Sequence, residues 1–522
     1  MSFVLMGVQS LTPQIAKAAT IGSGNCTQTV DSSVDVAVTE SGNYCYVAFK
    51  AGSRTWTTPT NVSTIDFLIV AGGGSGGSRH AGGGGAGGLL RGVSVSISGI
   101  TALNISVGAG APAPARVSGN NFTLGEKGSD SYLSKNSGSG GFTTRTAIGG
   151  GGGTAAGLAP QYGGSGGGSQ STTVSTFESG QGNAGGTGGY SAGYWYAAGG
   201  GGGAGGVGLN HTSTSGGAGG PGAIWINDFT TTIATSLGFP QTRQVSGNQI
   251  YFAGGGGGST TSTTPGEGGL GGGGAAVLGN NTGVSGGVNS GGGGGGSGCC
   301  DGGTPGAGGS GVVILRYILP SFTNATTFSI AENSLTSTNA ATITLTESGT
   351  VTIRNLGDST FFNVISNDSV TARIRFINSP DYEALADSGG NSEYDITVRA
   401  TNTVGNYQEL SIKITVTDVL ESAVIATPTF SAAAYKGRSI TISVTVSTPG
   451  KVRFFVAGKR VPNCLSMSTS GTYPNYSATC AWTPALSGNQ LVRASLTPTN
   501  NAIGAVTSDN SPIYISKRTN NR

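Results

Sequence analysis

The sequence predicts an all-β protein in which a glycine-rich region of extended chain is framed by two apolar β-strands and followed by strand-rich regions of ordinary composition. Three observations predict it. Glycine supplies 99 of the 522 residues, roughly a fifth against a usual share of about 7%. Charged side chains make up 9%, where a soluble domain carries about 25%. Outside the glycine blocks, short runs of β-branched and aromatic residues recur at strand length. Helices need charged outer faces, and glycine costs ~1 kcal/mol per helical position relative to alanine, so these numbers exclude a helical bundle.

The same arithmetic removes several function classes. The net charge is +3, and no Lys/Arg cluster gives an electrostatic footprint for nucleic acid or anionic lipid. Two histidines and three methionines argue against metal-redox chemistry. No run of eighteen apolar residues predicts a membrane span. A hydrolase would need a base beside its nucleophile or paired carboxylates in a cleft. His80 and His211 both lie among glycine blocks, and no G-x-S-x-G elbow adjoins a strand and helix. The expectation is a protein that is not an enzyme.

Taken in order, residues 1–19 read as a leader with an apolar stretch and the small-x-small pattern Ala16-Lys17-Ala18 that ends secretory signals, although the basic start is missing. The six cysteines suggest three local pairs, Cys26 with Cys45, Cys299 with Cys300 and Cys464 with Cys480. Zinc spacing is absent. For Cys464 and Cys480 the expectation is a staple across a hairpin. The adjacent Cys299 and Cys300 read equally as a strained vicinal bond, free thiols or an intermolecular link. The runs CTQTV, VDVAVTE, YCYVAF and TIDFLIV then read as strands.

Between Ala71 and Gly311 lie 83 of the glycines, in blocks such as AGGGGAGGL, IGGGGG, AGGGGGAGGVG and SGGGGGGSG. Runs of five and six glycines break any collagen register. Such blocks suit either a flexible linker or an array of polyglycine II helices, threefold and left-handed, with no internal hydrogen bonds. The segments between blocks, among them GYWYAA, PGAIWIN and NQIYFAG, carry aromatic and β-branched residues that a linker does not need. In the array every N–H and C=O points outward to a neighbouring helix, and only glycine permits that approach. GSGVVILRY closes the region with a second apolar strand.

FLIVAGGGSGG, the GGGG blocks and the terminal GSGVVILRY resemble the bacterial and phage glycine-rich domain in which strands frame polyglycine II helices, as in some phage tail-fibre adhesins. The resemblance spans residues 26–318. It implies binding on inter-helix loops, and here on Tyr194, Trp195 and Tyr196, an aromatic trio that could stack on sugar faces or simply pack the lattice edge.

Residues 319–421 carry FSIAENS, ATITLTE, TVTIRN, FFNVIS, ARIRFI, EYDITVRAT and LSIKITVTDV at sandwich-like spacing. The set resembles a cadherin-like domain of bacterial surface proteins, with Glu332, Asp381, Glu383 and Asp418 at positions whose acids bind calcium through hard oxygen ligands. Asn402 stands where that family usually has Asp, and Leu420 where its linker has Asn. Residues 424–517 resemble a bacterial Ig-like repeat through SITISVTVS, GKVRFFVAGKRV, YSATCAWTP and SPIYISKR, leaving 518–522 as a tail. Together the resemblances imply a secreted or cell-surface adhesin whose partner is a surface glycan or protein receptor. A phage receptor-binding tail protein and a purely structural envelope or matrix component are the alternatives.

Overall fold

A computed structural model describes residues 18–22, 26–115, 122–155, 158–191, 195–240, 244–261, 263–298, 303–323, 325–384, 386–420, 422–472, 474–500 and 503–517. Cys299, Cys300, most of the leader and the tail lie outside the described residues. The chain divides into two compact units. One comprises residues 1–322 with 345–350 and 400–408, the other residues 323–344, 351–399 and 409–522.

In the first unit the two apolar strands read from the sequence pair with each other. Thr64–Val70 runs antiparallel to Val312–Ile318, with Val70 opposite Val312 and Phe67 opposite Leu315. Tyr44–Phe49 pairs with the other edge of Val312–Ile318, and Val36–Ser41 and Leu89–Ser96 complete a five-stranded sheet. Alternation gives this sheet two apolar faces. Val47, Phe67, Val313 and Leu315 face one core with Trp56, Leu103, Ile105 and Leu133. Tyr46, Leu68, Val312 and Ile314 face a second core with Trp225, Phe229, Phe239 and Phe252.

The first core is closed by a six-stranded sheet that includes Gly52–Thr57, Ile100–Val107 and Ser131–Gly138. The Cys26–Cys45 disulfide joins that core, its Cα atoms 5.3 Å apart. The second core is closed in part by an α-helix, Thr231–Ser236, which buries Ile233 and Ala234. Sequence composition did not signal that helix, because six residues are too few to show a period. Asp66 and Arg316 interrupt the apolar runs of the two framing strands and meet as a buried ion pair, Nη2 to Oδ2 at 2.6 Å. Asp66 Oδ1 accepts the Ser94 N–H at 2.8 Å, where the register between Thr64–Val70 and Leu89–Ser96 shifts.

The glycine blocks are buried and ordered. Residues 82–88 show the arrangement. Their N–H groups at 82, 85 and 88 donate to the carbonyls of Thr154, Gly151 and Ile148, descending three at a time. Those at 83 and 86 reach Gly199 and Gly202, and those at 84 and 87 reach Gly294 and Gly291. Their carbonyls in turn accept from Ala71, Gly74, Gly77, Ser165, Gly168 and Gly256. A partner that changes every residue and returns every third is the signature of a threefold helix bonded to neighbours on all sides. None of residues 82–88 has a positive φ. Close approach is what demands glycine: a Cβ on Gly84 would lie 2.1 Å from the Gly74 carbonyl oxygen.

The second unit is built from sandwiches. Thr327–Ala331 lies parallel to Tyr407–Thr417, with Ile330 opposite Val416, in a sheet completed by Glu393–Asn402 and Gly349–Ile353. Ala341–Thr344, Thr371–Phe376 and Phe362–Asn367 form the opposing sheet. Phe362, Phe376 and Tyr394 fill the interior, ring centroids 4.3 to 5.7 Å apart.

After residue 422 a second pair of sheets packs Ile442, Val444 and Ala478 against Val452, Phe454 and Leu496. The Cys464–Cys480 disulfide forms here, but it does not close a hairpin. Cys480 lies in Asn475–Trp482 of one sheet, whereas Cys464 accepts the Phe454 N–H through its carbonyl, at the edge of the other. The bond therefore ties the two layers, because the intervening residues cross between sheets.

Candidate metal centre

Local chemistry positions each acid. Glu332 follows strand Thr327–Ala331, and the Glu332 N–H donates to the Thr417 carbonyl at 3.0 Å. Asn333 turns the chain with φ 57°. The Glu332 side chain is buried, and its two oxygens accept the N–H groups of Val419 at 2.6 Å and Tyr382 at 3.1 Å. One carboxylate thus fixes both segments that carry the other acids.

Glu332, Glu383 and Asp418 come together, one oxygen from each lying within 4.8 Å of the others. Asp381 stands outside that group. Its Oδ1 accepts the N–H groups of Glu383 at 3.0 Å and Ala384 at 3.1 Å, a local turn that aims Glu383 in its place. Asn402 is likewise occupied locally: its side-chain oxygen accepts from Val404 and Asn406, and its amide donates to Glu347 at 3.1 Å.

The Glu383 carboxyl is pushed up to about 7, first by partial burial and then by its hydrogen bond to Glu332 and the charge of that group, with Asp418 adding to it. Glu383 is exposed as a whole residue, so solvent screens this repulsion and reduces the free energy it represents. A cavity of about 230 Å³ adjoins Glu383 and Asp418 and is lined also by Ser447, Thr448 and Asn500. The Thr448 hydroxyl is buried without a hydrogen-bond partner. Carboxylate and hydroxyl oxygens, with no sulfur or imidazole among the described residues of the cluster, suit a hard cation such as calcium.

The other expected binding residues are less informative. Tyr194 lies outside the described residues, as do the side chains of Trp195 and Tyr196; the backbone of Trp195–Ala197 pairs with Gly189–Ser191. Thr448 was missed by sequence reasoning, since nothing marks one threonine among many as an orphaned donor.

The sequence pattern of the family described as a glycine-rich domain matches residues 49–318. That match covers the framing strands and every block of the lattice. The chain belongs to the glycine-rich domain family.

No curated protein matches the chain. Among solved structures, the glycine-rich domain protein is similar to a protocadherin gammaB7 EC3-6 fragment at 14% identity, over 38% of this chain and 48% of that one, with a TM-score of 0.25. Drosophila N-cadherin EC1-4 gives 16% identity, 40% and 53% coverage and a TM-score of 0.23. Latent PorU from Porphyromonas gingivalis gives 11%, 38%, 20% and 0.17. The chain spans about half the length of the cadherin structures it matches. Among the described residues no helix is long and apolar enough to cross a membrane.

Proposed function

We propose that this glycine-rich domain protein is an exported, non-catalytic adhesin of a bacterial surface or its secretions, with a calcium site at Glu332, Glu383 and Asp418. The observation that carries the reading is the convergence of those three carboxylates within 4.8 Å. Bound there, calcium supplies positive charge that offsets the mutual repulsion of the acids. Glu332 already holds the backbone of Tyr382 and Val419, so it presents Glu383 and Asp418 together. The two disulfides favour an oxidising compartment and hence export over a phage tail protein. A structural matrix role is the second reading, favoured by the lattice itself, in which main-chain bonding replaces a side-chain core.

Two measurements test this. Melting the full chain with calcium and with chelator should show stabilisation by the cation. At tenfold excess over Kd the gain is about 1.4 kcal/mol, and extracellular modules bind in the ~0.1 to 1 mM range. Identical melting curves at 10 mM calcium would retire the ion. Beads coated with the full chain should attach to bacterial or host cells; absence of attachment to any surface would leave the structural role.

A further inference from the structure

A second cavity, of about 440 Å³, opens in the first unit where Leu89–Ser96 meets the loop around residues 177–183. Its lining combines an aromatic ring, Phe177, with the apolar Leu90 and Ala204 and the planar polar side chains of Arg91, Gln181 and Asn183. Phe177 is 40% exposed. Its backbone is anchored, because it bridges to Gly163 and the Glu178 N–H donates to the Gly163 carbonyl at 2.9 Å. The polar groups are also held. Arg91 donates from Nη1 to the Ile224 carbonyl at 3.0 Å. Gln181 is fixed at both ends, to Ile148 at 2.8 Å and Thr146 at 3.0 Å. Asn183 donates to the Gly203 carbonyl at 2.8 Å.

We propose that this cleft is a saccharide site for a pyranoside bearing a carboxylate, with Phe177 under the sugar ring and Arg91 at the carboxylate. A ring face with axial C–H groups is matched by an exposed aromatic face, and the cavity volume is in the range of small-ligand sites. Arg91 spends one donor on Ile224, which fixes the guanidinium and leaves its Nε and Nη2 edge, the geometry that takes a carboxylate with two parallel bonds. Glu178, next in the chain to Phe177, accepts a hydrogen bond from the Tyr162 hydroxyl, and Lys127 lies over the Tyr162 ring at 5.3 Å. The charge contributed by the lining residues is therefore that of Arg91. Asn183 keeps its side-chain oxygen for a sugar hydroxyl. Polar partners already held in place lower the entropy lost on binding.

This site rests on the adhesin reading for its purpose, not for its chemistry. Saturation-transfer NMR on the full chain, with methyl β-glucuronide and methyl β-glucoside as probes, decides it. The expected result is transfer to the glucuronide ring protons, with the glucoside bound at least tenfold more weakly. Arg91→Gln should erase the difference between the sugars, and Phe177→Ala should abolish transfer to both. If Phe177→Ala does not fold by circular dichroism, Phe177→Leu keeps apolar bulk without a ring and should lose binding in the same way. No transfer to either sugar overturns the site, and so does equal binding of both that Arg91→Gln leaves unchanged. Attachment of coated beads that persists without sugar binding overturns this site alone. Sugar binding without attachment retires the adhesin reading and leaves the site standing.

Discussion

At the scale of single residues, the acid cluster ties stability to pH in a direction opposite to that of most carboxylates. Glu383 titrates near 7 in the folded chain, above its ordinary value of 4.5. Between those two pH values the folded state holds a proton that the unfolded state has released, so without a cation this group's contribution is present at low pH and is lost as pH rises through about 7. Calcium bound as proposed would compete with that proton. Calorimetry in chelator should therefore show the wild type losing more stability from pH 5.5 to 8 than Glu383→Gln does, and the calcium-induced shift should grow over the same range. A wild-type profile that matches the variant with and without calcium would mean the proton is not shared there. Glu332, Glu383 and Asp418 were legible because they fall at recognisable motif positions. Asp381 was not separable from them in the sequence, since an aspartate two residues before a glutamate serves equally as a ligand or as the acceptor of the Glu383 and Ala384 N–H groups. The cleft at Phe177 was illegible for a different reason: Arg91, Phe177 and Asn183 are brought together only by the lattice.

At the scale of elements, the framing strands were readable from β-branched runs, and their pairing follows from burial on both faces. Gly52–Thr57 was harder to read, because its sequence GSRTWT has little apolar content beyond Trp56. Polyglycine II could be set against a linker from the aromatic spacers, but the partner of each block could not, since the blocks are nearly identical in sequence. What distinguishes them is geometry. A Cβ on Gly84 meets the Gly74 carbonyl at 2.1 Å, and one on Gly201 meets the Gly84 carbonyl at 2.0 Å. Gly84→Ala should accordingly destabilise the first unit by ~1 to 3 kcal/mol or more, combining overpacking with weakened main-chain bonds. Gly141, which has nothing within 4 Å of a built Cβ, is the control. Gly141→Ala should stay within about 0.5 kcal/mol of wild type in denaturant unfolding. Equal effects at the two positions would mean that glycine is required there for chain entropy and not for contact.

At the scale of the whole molecule, the two units keep order by different means, and the disulfides let the difference be measured. The first unit has two side-chain cores on the faces of one sheet and a glycine lattice whose interior is main-chain hydrogen bonding. The second has ordinary apolar sandwiches. Cys464 and Cys480 sit in the last of those, both buried, and join its two layers. The bond closes 16 residues, and a loop of that size contributes about 3 kcal/mol by restricting the unfolded chain. Replacing both by alanine should therefore lower the stability of residues 422–517 by about that amount, as amide exchange loses protection in Ile440–Val446 and Asn475–Trp482. The glycine-rich domain should be untouched. Its amides at 82–88 should remain slow to exchange in both proteins although they belong to no α-helix or sheet, because they are bonded in turn to three neighbouring blocks. Fast exchange there in the wild type would remove the lattice, and loss of protection there in the double variant would show that the two units unfold as one.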